Sequence, residues 1–156
     1  LEFRRVLFRS SLKRFTPILE KQKINLTLNC SESYILKADK EMLEKALNNF
    51  ITNAIKYTPP GNDININIDE GLDKFRLSVQ NMGTSIPEPE IDKLFEKFYR
   101  IDKSRERTQR NSTGLGLSIV KNILRLHNSE FNIRNIDGGV EFYFYLEKIV
   151  ISDDEI

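Results

Sequence analysis

The sequence predicts an α+β fold in which helices cover one face of a mixed, mostly antiparallel sheet. Three observations predict it. Segments with alternating apolar residues, typical of half-buried strands, recur at 24–28, 63–69, 74–80 and 140–147. Two longer segments, at 39–58 and 115–127, have the spacing of amphipathic helices. A chain of 156 residues with 39% hydrophobic and 30% charged residues suits a single two-layer α/β sandwich with its own core.

Composition argues against a nucleic-acid-binding protein and against a membrane-spanning one. A net charge of +1 gives no reason to expect nucleic acid as a partner, and no apolar run reaches the length that spans a bilayer. Cys30 is the single cysteine, so no intrachain disulfide is expected and a reducing compartment fits. We expect residues 1–14 to be a linker or cloning-derived segment with a helix start, 15–148 to be the functional domain, and 149–156 to be a flexible acidic tail.

The first third of the chain predicts short elements that lead into one long helix. Residues 6–23 have helical spacing interrupted by Pro17, which predicts two short pieces or a kinked helix. A strand follows at 24–28 and a second short strand at 34–38. Asp39 is placed to cap the long helix, and Pro59-Pro60-Gly61 to end it.

The long helix carries an apolar face and a polar stripe. At about 100° per residue, the apolar face consists of Leu43, Leu47, Phe50, Ile51, Ala54 and Ile55. Asn49, Asn53 and Lys56 share the polar stripe, at spacings of four and three residues. An amide oxygen can bind a hard divalent cation and an ammonium can meet a phosphate. The alternative is a stripe of ordinary solvated residues.

The second half predicts two hairpins separated by a helical region. Gly71 connects strands at 63–69 and 74–80, and Asp137-Gly138-Gly139 connects strands at 130–135 and 140–147. In the last strand Phe142, Phe144 and Leu146 alternate with Glu141, Tyr143 and Tyr145. Between the hairpins we predict a short helix at 87–97, a helix at 115–127 with a buried stripe of Leu117, Val120, Ile123 and Leu124, and a basic loop at 101–113. That loop is long for a compact domain, which favours a functional lid.

Four segments together resemble the catalytic, ATP-binding domain of bacterial sensor histidine kinases. They are NAIKYT at 53–58, NMGTSIP at 81–87, LFEKFYR at 94–100 and STGLGLSIVKNI at 112–123, and they are similar to that family's N, G1, F and G2 boxes. The resemblance extends from about Phe15 to Leu146. It implies a Bergerat-type ATP-binding fold, ATP and Mg²⁺ as cofactors, and transfer of the γ-phosphoryl group to a His on a separate dimerisation domain.

The resemblance assigns roles to the polar stripe. Asn53 matches the family's magnesium ligand, and Lys56 and Tyr57 match residues that contact the phosphates. Asn49 matches the position of a glutamate that activates water in the related gyrase-type ATPases. An amide has no usable proton-accepting pKa near neutrality, so Asn49 cannot serve as a general base. We therefore expect this chain to hold ATP without hydrolysing it rapidly.

The same resemblance places the adenine against the G1-like segment. Gly83 is expected to allow a tight backbone approach and Ile86 to form an apolar wall. Three residues depart from the family pattern: Asn81 replaces an Asp that binds the adenine amino group, Ser85 replaces the second glycine, and Val140 replaces a supporting Thr. Because an amide oxygen accepts that hydrogen bond more weakly than a carboxylate, we expect nucleotide to bind with weaker or looser base selectivity.

The G2-like segment and the residues before it are expected to bind the phosphates. Two glycines at a helix start let backbone N–H groups approach an anion, which the helix dipole also favours. Arg100 matches a family residue near the γ-phosphate, where a guanidinium stabilises developing charge. Phe95 and Phe98 fit either core aromatics or direct nucleotide contacts. The expected nucleotide ligands of this region are Phe98, Arg100, Thr113, Gly114, Leu115, Gly116 and Leu117.

His127 is the only histidine, and a structural role at the end of a helix is expected for it, with Asn128 taking a left-handed turn. The phosphoacceptor His is then expected outside this chain, on the dimerisation domain, so the fragment should be soluble and should not autophosphorylate alone. A response regulator is the second expected partner. The resemblance further implies a cytoplasmic domain of a protein anchored in the plasma membrane of a bacterium.

Two alternatives stay open at the level of sequence. One is a related anti-sigma-type kinase that phosphorylates a protein serine. The other is a nucleotide-binding scaffold with little activity, which the departures at Asn81, Ser85 and Val140 favour.

Overall fold

The chain forms two layers in the computed structural model, which describes residues 2–3, 12–30, 34–35, 37–96 and 116–148. A turn of 3₁₀ helix at Lys13–Phe15 precedes the first α-helix. The helices are α1 (Thr16–Gln22), α2 (Lys40–Tyr57), α3 (Glu88–Ile91) and α4 (Gly116–Leu126). The strands are β1 (Glu2–Phe3), β2 (Asn25–Asn29), β3 (Tyr34–Ile35), β4 (Asp63–Glu70), β5 (Lys74–Met82), β6 (Phe131–Ile136) and β7 (Gly139–Glu147).

The main sheet has five strands in the order β2-β4-β5-β7-β6. Only β2 and β4 pair in parallel, whereas β4–β5, β5–β7 and β6–β7 are antiparallel. The predicted α+β fold, with a mixed and mostly antiparallel sheet, is therefore confirmed. β1 and β3 form a separate two-stranded pair.

The core lies between this sheet and α2, which also packs beside α4. Phe50 of α2 contacts two aromatic rings of β7, with centroids 3.7 Å from Phe142 and 5.7 Å from Phe144. The apolar face predicted for α2 is buried throughout, because it covers the alternating apolar residues of β4, β5 and β7. Burial of such side chains contributes about 1.5–3 kcal/mol each.

The bounds of α2 follow from local signals, as predicted. The Asp39 carboxylate accepts a hydrogen bond from the backbone N–H of Met42 at 2.9 Å, which satisfies a free donor of the first turn. Pro59 and Pro60 follow the last residue, and Gly61 has a φ of +83° that glycine tolerates. The predicted cap and stop are both confirmed.

The first helical region forms two pieces, 3₁₀ and α, as one of the two predicted arrangements, with Pro17 in the first turn of α1, and its residues 6–11 lie outside the described part. Two other elements differ from prediction in length. β3 ends at Ile35 instead of 38, because Lys37 bonds to the carbonyl of Glu147 and the chain bends toward the cap of α2. α3 has four residues and is followed by tight turns, because Leu94 and Phe95 are drawn onto the core.

Glu141 is buried on the sheet face that the helices leave open, with a side chain that is only 2% exposed. Arg76 donates two hydrogen bonds to its carboxylate at 3.1 and 3.0 Å, and Arg134 and Gln80 donate one each at 2.7 and 3.2 Å. Burial by itself raises the pKa of Glu141, but these donors outweigh it and hold the pKa below its ordinary value. The alternation of β7 is as predicted, whereas this burial was not.

Within the described residues, no helix is both long enough and apolar enough to cross a bilayer.

Candidate functional site

A cavity of about 550 Å³ opens between the C-terminal half of α2 and the end of the sheet formed by β5 and β7. Its polar side includes Asn53, Lys56 and Tyr57 of α2 and Asn81 of β5. Its apolar surface includes Val79, Ile86, Leu94, Leu117, Val140 and Phe142. A flat apolar ring and a charged tail can therefore lie at different ends of one cavity.

The end of α2 places a cation at the mouth of the cavity. Lys56 and Tyr57 are consecutive residues at the helix end, and the Lys56 ammonium lies 5.1 Å from the centre of the Tyr57 ring. Asn53 is one turn earlier, at the i, i+3 spacing that puts it beside Lys56. An amide and an ammonium thus lie together at this end of the cavity.

Asn49 lies one turn before Asn53 on α2 and does not line the cavity. Its Nδ2 donates to the carbonyl of Lys45 at 2.9 Å, which fixes the direction of its Oδ1. The start of α4 faces it: a Cβ placed at Gly116 would lie 3.2 Å from Asn49 Oδ1 and 3.6 Å from Asn53 Nδ2. The structure therefore brings Asn49, Asn53 and Gly116 together, as the sequence motifs predict.

The other end of the cavity is formed by β5, β7 and the segment after β5. Asn81 and Val140 are directly paired across β5 and β7, and both line the cavity together with Ser85 and Ile86. Asn81 therefore lies at this end of the cavity, together with the apolar side chain of Ile86.

Gly83 lies beside the cavity and does not line it. Its φ is +80°, and a Cβ there would collide with the side-chain amide of Asn62. The sequence predicts a close approach between Gly83 and the nucleotide, but the atoms closest to Gly83 belong to the side chain of Asn62. Glycine is required for backbone conformation and packing at this corner.

Several predicted residues lie outside the described part of the chain. These are Phe98, Arg100, Thr113, Gly114 and Leu115, together with the expected lid at 101–113. Phe95 is described, and its ring packs edge-on against Phe131 and Phe142 with centroids 5.2 and 5.7 Å away. Of the two roles weighed for Phe95, the structure gives it that of a core aromatic.

His127 has the structural role that the sequence predicts. Its Nε2 accepts a hydrogen bond from the backbone N–H of Asp39 at 2.9 Å, and its Nδ1 lies 2.7 Å from the carbonyl oxygen of Ile123. Nδ1 therefore carries the proton and donates it. Asn128 has a φ of +51°, the left-handed turn expected there. His127 links the end of α4 to the start of α2, the two helices that bring Gly116 against the amides.

Asn135 of β6 contacts the wall of the cavity and was not among the residues predicted from the sequence. Its side-chain amide bonds to both the N–H and the carbonyl of Ile86, at 2.8 and 2.7 Å. Its neighbours in the chain, Arg134 and Ile136, form an ordinary strand sequence.

The donor set fits a metal that arrives with phosphates better than one held by the protein alone. Among the residues that the structure describes, no three His, Cys, Asp or Glu side chains cluster to bind a cation. Mg²⁺ keeps several waters and is held by one or two protein oxygens plus substrate phosphates, so a single amide oxygen at Asn53 is compatible with it.

Comparison with known proteins gives one consistent family. The histidine kinase-, DNA gyrase B- and HSP90-like ATPase family matches residues 38–149. The sensor protein VanSB of Enterococcus faecalis is 36% identical over 135 residues, which cover 86% of this chain and 30% of the length of VanSB.

Solved structures agree with this match. The nucleotide-free catalytic domain of histidine kinase ThkA superposes with a TM-score of 0.81 at 30% identity, covering 95% of both chains. ThkA in complex with the response regulator TrrA superposes with a TM-score of 0.75 at 27% identity, covering 96% of this chain and 42% of that one.

Proposed function

This chain belongs to the histidine kinase-, DNA gyrase B- and HSP90-like ATPase family, as a histidine kinase catalytic domain, and from that premise we propose that it binds Mg-ATP in the cavity beside α2 and donates the γ-phosphoryl group to a His on a separate dimerisation domain. The catalytic unit spans residues 15–148. ATP binding is a property of the family, whereas the metal, the acceptor and the residue roles below are proposals.

One observation carries the proposal: the start of α4 lies against the amide stripe of α2. Gly116 is adjacent to both amides, since a Cβ added there would lie 3.2 Å from Asn49 Oδ1 and 3.6 Å from Asn53 Nδ2. Backbone N–H groups at a helix start and an amide oxygen opposite them form a site for a phosphate chain with its cation. The neighbouring apolar end of the cavity accommodates a base.

Each side chain of the stripe has a separate task in this proposal. Asn53 Oδ1 would hold Mg²⁺, which would supply positive charge to the phosphates. Lys56 and Tyr57 bind the phosphates at the mouth of the cavity. Asn49 orients ligands without activating water, because its amide cannot accept a proton near neutral pH. ATP is thereby kept for a nucleophile supplied by another domain.

We extend the proposal to residues outside the described part of the chain. Arg100 stabilises charge at the γ-phosphate, and Phe98, Thr113, Gly114 and Leu115 complete the nucleotide site from the lid side. Their roles rest on the sequence motifs.

The proposed partners are the dimerisation and phosphoacceptor domain of the same kinase and a response regulator. The complex of ThkA with TrrA supports the second. We propose a cytoplasmic location for this domain, within a protein anchored in the plasma membrane of a bacterium.

Titration of a fluorescent ATP analogue with and without Mg²⁺ tests the binding site. The wild-type chain should bind more tightly with Mg²⁺, and Asn53→Ala should lose most of that dependence on the metal. Asn48→Ala is a matched control, because Asn48 lies on α2 but does not line the cavity. Binding that responds neither to metal nor to Asn53→Ala would contradict the proposed site and would favour a nucleotide-binding scaffold.

Transfer itself is tested by incubating the chain with γ-labelled ATP and the dimerisation domain of the same protein. Label on the dimerisation domain that is lost in acid and stable in base indicates phosphohistidine. Acid-stable label on serine would contradict the proposal in favour of a serine kinase.

A further inference from the structure

We propose that Asn135 is a positioning residue that fixes the cavity wall at Ile86 and thereby determines how tightly the nucleotide base is held. This inference rests on the proposed function, since it concerns the base end of the same cavity.

The contact of Asn135 with Ile86 is bidentate. Asn135 Oδ1 accepts a hydrogen bond from the Ile86 N–H at 2.8 Å, and Asn135 Nδ2 donates to the Ile86 carbonyl at 2.7 Å. One side-chain amide thus bonds to both polar groups of one residue, as a neighbouring strand would. Nδ2 also donates to the Glu88 carboxylate at 3.1 Å, which extends the attachment to the first residue of α3.

The position of Asn135 in the sheet connects this attachment with the base end of the cavity. Asn135 pairs directly with Val140, and Val140 pairs directly with Asn81. Directly opposed residues of antiparallel strands project from the same face, so the three side chains form one row across β6, β7 and β5. Asn81 and Val140 line the cavity, and Ile86 faces it from the segment that Asn135 holds.

The distance between Ile86 and Asn81 across the base end of the cavity therefore depends on Asn135. The segment from Gly83 to Pro87 contains no helix or strand residue, and at its start Gly83 N–H donates to the Gly138 carbonyl at 2.8 Å. Near its end Asn135 fixes Ile86 at a set distance from the sheet row that contains Asn81. Without this attachment Ile86 would sample other positions, and the apparent affinity for a base would fall with the fraction of molecules whose wall is in place.

The experiment compares two ligands by isothermal titration calorimetry on the whole chain in the presence of Mg²⁺. ATP fills both ends of the cavity, whereas inorganic tripolyphosphate fills only the phosphate end. Asn135→Ala should weaken ATP binding about tenfold and leave tripolyphosphate binding within about twofold of wild type. Asn132→Ala is the matched control, because Asn132 lies on the same strand, is exposed and projects from the opposite face of the sheet.

Each outcome decides the inference. Equal loss of ATP and tripolyphosphate binding would assign Asn135 a general structural role, and unchanged ATP binding would show that Ile86 needs no attachment. Both results overturn the inference and leave the proposed function intact, whereas failure of the wild-type chain to bind ATP overturns both. If Asn135→Ala does not fold, Asn135→Asp takes its place under the same criteria, since it keeps the acceptor for Ile86 N–H and loses the donor.

Discussion

Replacing Gly116 with alanine should separate nucleotide binding from folding. The added methyl would lie 3.2 Å from Asn49 Oδ1 and 3.6 Å from Asn53 Nδ2. Because carbon contacts are most favourable at about 3.5–4.0 Å, Asn49 must move by roughly 0.3 Å. That movement strains its 2.9 Å hydrogen bond to the Lys45 carbonyl, which contributes about 1 kcal/mol.

The same substitution has a compensating effect on stability. Alanine favours the interior of a helix over glycine by about 0.5–1 kcal/mol, and at the first residue of α4 a part of this difference offsets the strain at Asn49. The free energy of unfolding should therefore change by less than about 1 kcal/mol. Nucleotide binding has no such compensation, since the methyl displaces the Asn49 side chain and reduces the space beside Asn53, where the phosphates and metal are proposed to lie. We expect Mg-ATP to bind at least tenfold more weakly, a loss of about 1.4 kcal/mol or more.

Two measurements on each variant test this separation: calorimetric titration with Mg-ATP and urea denaturation. Asn122→Ala is the control, because Asn122 is an exposed residue of the same helix. Binding of Mg-ATP by Gly116→Ala within twofold of wild type would contradict the proposed position of the phosphates. A loss of affinity that arises only because the variant is more than about 2 kcal/mol less stable would contradict it as well.

Three further predictions concern base selectivity, the open sheet face and the link between the helices. Asn81→Asp should raise the preference for ATP over GTP about tenfold in competition titrations, because a carboxylate accepts from the adenine amino group but repels the guanine carbonyl; an unchanged ratio would remove Asn81 from base reading. Glu141→Gln should lower the free energy of unfolding by about 2 kcal/mol at pH 7, since Arg76 and Arg134 lose their charged partner. As the folded pKa of Glu141 is lowered, its contribution is complete above the ordinary glutamate pKa of about 4.3 and is lost as pH falls through the lower folded value. The difference between variant and wild type in urea denaturation should therefore shrink below that pH, and a constant difference would contradict the assignment. His127→Phe should lower the free energy of unfolding by about 1–2 kcal/mol through loss of its two hydrogen bonds, measured by thermal denaturation, and an unchanged melting temperature would argue against the link.

Elements defined by neighbouring residues could be predicted from the sequence. α2 is the clearest case: its cap at Asp39, its apolar face and its end at Pro59 depend on residues within a few positions of one another. The alternation of β4, β5 and β7 is equally local, and each strand was found within two residues of its predicted bounds. The juxtaposition of Asn53 with Gly116 follows from the family resemblance, because nothing in the local pattern indicates that α2 and α4 meet.

Features that depend on distant contacts could not be predicted. The attachment of Asn135 to Ile86 joins positions 49 residues apart, and the bonds of Arg76 to Glu141 span 65 residues. In the sequence Glu141 has the strand alternation of an exposed position, and Asn135 is a polar residue in the alternation of Phe131 and Ile133 with nothing nearby to indicate its partner. α3 was predicted too long for a related reason. The residue pattern of 87–97 suits a helix, but the helix ends early because Phe95 packs against the aromatic ring of Phe131 in the sheet.

A crystal structure with Mg²⁺ and a non-hydrolysable ATP analogue would show directly whether the nucleotide and its metal bind in the cavity beside α2. We expect the metal at Asn53 Oδ1, the phosphates beside Lys56 and the start of α4, and the base beside Asn81 and Ile86. A cavity that stays empty or is filled by the protein's own side chains at saturating nucleotide, or a metal held away from Asn53, would contradict it.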